Sequence, residues 1–155
     1  MALAGQGSAT GPLSWAYATG VAGYERVVQH RATRDFDPDP SQVAAVRRFV
    51  REVAAGWDIQ VGDLELVVGE LAANAVLHAR SAYSVQLQRE QDRVLVEVSD
   101  HNSRLPAATT VPARALSGRG LIIVQRLARS WGVRPEMDGK VVWAELSAPR
   151  LRVLT

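Results

Sequence analysis

Apolar residues recur at helical spacing in two adjacent stretches of the chain. Val43, Val46, Phe49, Val50 and Val53 lie three or four apart, which places them on one stripe of a helix running as far as Gly56. The segment before it, Asp37-Pro38-Asp39-Pro40-Ser41, reads as a turn in which Asp39 caps the first amides and Pro40 suits the first helical position. A second start at Gly62-Asp63 leads into Leu64, Val67, Val68, Leu71, Ala75 and Val76, predicting a mostly apolar helix to Ala79. The period then changes to two. Tyr83 to Arg89 and Arg93 to Ser99 alternate apolar with polar residues across the short link Glu90-Gln91-Asp92, which predicts a hairpin. His101 to Ser117 has no periodicity and contains Pro106 and Pro112, the signature of a long loop. Gly118 to Ser130 predicts a third helix with Leu121, Ile122, Val124, Leu127 and Ala128 inward, and Gly132–Glu136 with Lys140–Leu146 a second hairpin turned by Asp138-Gly139. Glu25 to Arg34 fits a strand and a helix almost equally.

Helices beside an antiparallel-rich sheet make a two-layer α/β sandwich, with about three helices on one face. The length of 155 residues suits one domain, and 47% apolar with 22% charged residues describes a globular chain. The Gly-, Ala- and Ser-rich residues 1–22 read as a flexible lead-in, 23–148 as the folded unit and 149–155 as a tail. Without cysteine, disulfides, thiolate metal sites and cysteine nucleophiles are excluded. The net charge of +2 comes from an arginine-rich composition in which Lys140 is the only lysine. No run of like charge and no basic recognition helix accompanies it, so direct nucleic-acid binding is not expected. Residues 1–22 lack a basic start and a sustained apolar core, and no stretch approaches the ~18 apolar residues of a membrane span. The expected location is the cytoplasm, with no membrane contact.

Three features carry candidate chemistry. Glu70, Asn74 and His78 follow one another at intervals of four and form one polar stripe on an otherwise apolar helix. A carboxylate and an amide so placed suit a hard cation such as Mg²⁺, and equally a solvated helix edge. The strand VLVEVSD delivers Asp100 at its end, just before the long loop, as a site residue or as a turn former. In SGRGL, Ser117 to Leu121, two glycines open a helix, where free amides and the helix dipole favour an anion.

In this order, ELAANAVLHA, VEVSD, RLP, SGRGL and GKVVWAEL resemble the GHKL (Bergerat-fold) ATPase and kinase superfamily. Within it they are similar to the RsbW-type anti-sigma regulatory serine/threonine kinases, particularly their actinobacterial relatives, over Asp37 to Leu146. The resemblance implies a Bergerat-type sandwich with a mixed, mainly antiparallel sheet. It implies ATP and Mg²⁺, with Glu70 as general base, Asn74 as the Mg²⁺ ligand and Asp100 as acceptor for the adenine amino group. Ser117, Gly118, Arg119, Gly120 and Leu121 correspond to the phosphate-binding glycine box, and His101 to Ser117 to the ATP lid. His78 stands where the family often has a histidine. The implied activity is phosphoryl transfer to an anti-anti-sigma (STAS-type) protein, with that protein or a sigma factor as partner. Kinases of this type commonly dimerise, which leaves a homodimer open. The alternative is a catalytically silent module that sequesters the same partners. Two departures stand out: His101-Asn102-Ser103-Arg104 replaces a glycine-containing turn, and at Val141 a valine takes the expected place of a threonine that helps hold the adenine aspartate.

Overall fold

A computed structural model describes residues 30–79, 81–101 and 118–151. Its elements follow the order β1 (His30–Phe36), α1 (Gln42–Trp57), α2 (Gly62–Ala79), β2 (Tyr83–Glu90), β3 (Arg93–Asp100), α3 (Gly118–Leu127), β4 (Ser130–Glu136) and β5 (Gly139–Ser147). The strands form one five-stranded sheet in the order β1-β2-β3-β5-β4. Every pairing among the described residues is antiparallel, in keeping with the mainly antiparallel sheet expected from the sequence. The crossover lies between β3 and β5, and α3 and β4 fall between them in sequence.

The apolar stripe of α1 buries Val46, Phe49, Val50 and Ala54 against α2 and β1. Each buried valine or phenylalanine side chain contributes about 1.5–3 kcal/mol relative to exposure, and these contacts hold the helix more than intrinsic propensity does. Asp39 does act before the helix: its carboxylate accepts from the Ser41 amide at 2.9 Å, and its carbonyl accepts from Gln42 at 2.9 Å. The helix ends one residue beyond Gly56, at Trp57, and its left-handed cap is Asp58 (φ 55°), whose amide bonds back to Ala54 and Ala55. α2 is buried on most sides, with Leu64, Val67, Val68, Leu71 and Ala72 in the core, because it packs against α1, α3, β3 and β5.

The inner faces of β2, β3 and β5 complete that core with Tyr83, Val85, Leu87, Val96, Val98, Val142 and Ala144. α3 ends at Leu127, three residues short of the helix expected to Ser130. Pairing with β5 claims those residues: Arg129 donates to the Glu145 carbonyl at 2.7 Å and Ser130 stands opposite Glu145. Beyond β5 the chain turns back on the α1–α2 connection, where Ile59 pairs with Arg150 and Leu151 donates to the Asp58 carbonyl at 3.1 Å. Among the described residues no helix is long and apolar enough to cross a membrane.

Candidate functional site

Helix α2 is the axis of the candidate site, since it packs at once on β3, β5 and α3. Along its polar stripe exposure changes turn by turn. Glu70 is half-buried, Asn74 is 5% exposed and His78 is exposed at the helix end. An amide as deeply placed as Asn74 carries a desolvation cost that an apolar residue would avoid. The stripe is therefore no solvated edge at its centre.

Asp100 ends β3 and is 5% exposed. In the sheet it stands between Tyr83 of β2 and Lys140 of β5, and directly opposed residues share a face. Lys140 places Nζ 2.8 Å from Asp100 Oδ2, and both side chains are largely withdrawn from water. β5 can start this close only because residue 139 is glycine: a Cβ there would meet the Asp100 carbonyl oxygen at 1.9 Å. Partial burial is the main cause that lowers the His78 imidazole below its ordinary range, and repulsion by the Lys140 ammonium is the second. His78, Lys140 and Asp100 thus form one electrostatic neighbourhood where α2 ends above the sheet.

The sequence placed the missing threonine at Val141, and the register moves that position by one residue. Val141 stands opposite Ser99 and opens onto the other face of the sheet, where it lines a polar pocket of about 300 Å³ with Thr33, Gln86, Glu97 and Arg134. The residue on β5 that reaches Asp100 is Lys140. Sequence reasoning missed Lys140 because β3 and β5 are not consecutive, and a one-residue slip in pairing exchanges the two faces. The available signal was its being the only lysine in the 155 residues.

Gly118, Arg119 and Gly120 form the first turn of α3 as expected, with Gly120 buried and the helix packed on α2. Leu121 continues that helix, whereas Ser117 and the lid residues after His101 lie outside the described residues. The fold therefore gathers the ends of three elements around α2: the buried carboxylate of β3, the ammonium of β5 and the glycine-opened start of α3. Among the described residues no three carboxylates or imidazoles cluster as a protein-built metal cage would. A hard cation at Asn74 would accordingly complete its shell with water and ligand oxygens.

Residues 36–146 match the family described as Histidine kinase-like ATPase domain. Among solved structures, the chain is similar to the RsbU and RsbW domains of Rv1364c from Mycobacterium tuberculosis, with a TM-score of 0.60 at 17% identity. That likeness covers 82% of this chain but 35% of the other, and at such identity it is a likeness of fold. No curated protein sequence matches this one.

Proposed function

The chain belongs to the histidine kinase-like ATPase domain family, and from that premise we propose that it is an ATP-binding regulatory protein acting as an anti-sigma serine/threonine kinase. Its phosphoryl acceptor would be a STAS-type anti-anti-sigma protein. The observation that carries this reading is the convergence on α2 of a buried carboxylate, Asp100, with the glycine-opened start of α3, beside the Glu70–Asn74 stripe.

These residues fit the nucleotide. Asp100 is a buried acceptor suited to the adenine amino group, and the first amides of α3 suit phosphate oxygens. Asn74 offers an oxygen ligand to Mg²⁺. Bound MgATP supplies the γ-phosphoryl group together with an ion that screens its charge. Glu70, half-buried one turn before Asn74, takes the proton of the acceptor hydroxyl. The remaining work of the chain is to hold the phosphates in line and keep bulk water from them.

Two measurements test the reading. MgATP at 100 times its dissociation constant adds about 2.7 kcal/mol of stability to the folded chain. Radiolabel then passes from ATP to a co-purified STAS-type partner. A melting temperature unmoved by millimolar MgATP overturns nucleotide binding, and binding without transfer leaves a module that sequesters its partner. The ion pair supports that second reading, because Lys140 already engages the carboxylate expected to receive adenine.

A further inference from the structure

The face of the sheet turned away from the helices carries a second apolar cluster, Leu95, Val141 and Trp143, separate from the main core. The described helices do not account for its burial, because they pack on the opposite face, where α2 meets β3 and β5. Yet Trp143 is 1% exposed and Leu95 3%. Neighbours within a sheet flank a side chain, whereas its outer side stays open to water unless a second layer lies on it. Among the described residues no helix or strand supplies that layer. The burial is also lopsided. Gln88, Leu95 and Glu145 form one cross-strand row on this face, in register with Arg31 near the start of β1, and all three are buried. Towards the other end of the strands Ser84 and Ser99 are half-buried, and the polar pocket shared with Thr33 and Glu136 opens there.

We propose that residues 13–28 lie across this outer face as a strap that covers Leu95 and Trp143 and gives the sheet its second layer. Residues 1–29 join the fold at His30, beside the buried row. Residues 102–117 instead leave from Asp100, at the far end of the strands, and lead to α3 on the helix side. Residues 152–155 follow Leu151, which is bonded to Asp58 between the helices. Composition suits the first segment to the seat. Of residues 1–29 only Glu25 and Arg26 are charged, and Leu13, Trp15, Tyr17, Val21 and Tyr24 are large and apolar or aromatic, the reverse of the charged, aromatic-poor make-up of disordered chains. Reach suits it too. Trp143 stands three strands from β1, about 14 Å across, a span that about five extended residues cover. Tyr24 is thus within reach, and Trp15 and Tyr17 have chain to spare.

The chain has no cysteine, so two introduced ones carry spin labels without background. In the full chain Thr19→Cys is paired with Ser147→Cys, exposed on the outer face, and separately with Ala44→Cys, exposed on α1. Double electron–electron resonance then returns one narrow distance for the first pair and a longer one for the second. Broad distributions from both pairs, or a shorter distance to residue 44 than to residue 147, overturn the strap. Loss of the narrow distance on dilution with unlabelled chain assigns the cover to a second copy and overturns it as well. A second measurement needs no label on the segment. With 5-fluorotryptophan in the full chain, and the Trp143 resonance assigned by Trp143→Phe, the double variant Trp15→Ser/Tyr17→Ser gives Trp143 a solvent isotope shift that wild type lacks, a cooperative melting transition establishing that the variant is folded. A Trp143 resonance as shielded in the variant as in wild type overturns the proposal, since the sheet would then bury the indole unaided.

Discussion

At the scale of single residues, Glu70 and Asn74 differ in burial although one helical turn separates them, and their substitutions should differ in kind. Glu70→Gln keeps the shape and removes the base. It should hold ATP affinity within a few-fold and lower phosphoryl transfer about 10²- to 10⁴-fold, read in a single-turnover assay. Asn74→Ala removes the proposed ion ligand and should weaken MgATP binding itself, seen as a smaller thermal shift at fixed nucleotide. Tyr83 gives a prediction independent of any ligand. It is 1% exposed and stacked on Phe36 with ring centroids 5.8 Å apart, and its hydroxyl has no hydrogen-bond partner among the described residues. Burial pushes that phenol up to about 12. The unfolded chain releases the proton near pH 10 while the folded one retains it, so stability falls as the pH rises from about 10 towards 12. Tyr83→Phe should flatten that alkaline decline without loss at neutral pH, measured by urea unfolding across the range. A decline as steep in the phenylalanine variant would assign it to other groups.

At the scale of elements, α1, α2, the β2–β3 hairpin and β5 were legible because each buries one face and its periodicity survives in the sequence. β1 was not: it is an edge strand with most of its residues exposed, so its side chains record neither period clearly. The end of α1 was set by Asp58 in the left-handed region, although Gly56 was the residue suited by type to that role. Of the site, the α2 stripe, Asp100 and the glycine start of α3 could be read locally. Lys140 could not, because its role depends on a non-local register. Gln91 in the β2–β3 turn is also left-handed, with φ 52°. Gln91→Val should lower stability, because β-branching adds strain in the left-handed region, and Gln91→Gly should hold or raise it, since glycine escapes the Cβ penalty of about 1–2 kcal/mol that glutamine already meets. Denaturant midpoints of the two variants decide it. Arg89 ties this hairpin to the helices: its guanidinium is buried and donates to the carbonyl of Trp57, at the end of α1, and at 3.1 Å to that of Gln91. Arg89→Met should lower stability by about 1–3 kcal/mol, because it strands the α1 carbonyl. An unchanged unfolding midpoint would show that water replaces the arginine.

At the scale of the whole molecule, the sheet divides two kinds of organisation. Its inner face carries the helices and the candidate site. The opposite face carries a polar network in which Glu97 accepts from Gln86 at 2.9 Å and from Arg134 at 3.1 Å, next to an apolar cluster of Leu95, Val141 and Trp143. Trp143 lies over Gly132, where an added Cβ would stand 2.8 Å from the indole ring. Gly132→Ala should therefore destabilise the β4–β5 hairpin by about 1–3 kcal/mol, the usual cost of overpacking. Because Gly132 faces away from Asp100 and Lys140, the thermal shift produced by MgATP should be unchanged in the folded variant. A change in that shift would mean that the two faces are mechanically coupled through β5. The solitary lysine has a last consequence, in spectroscopy. A sample grown with isotope-labelled lysine carries a single labelled side chain from these 155 residues. That side chain sits against Asp100, so one resonance reports on this buried ion pair without a tag, a dye or a mutation.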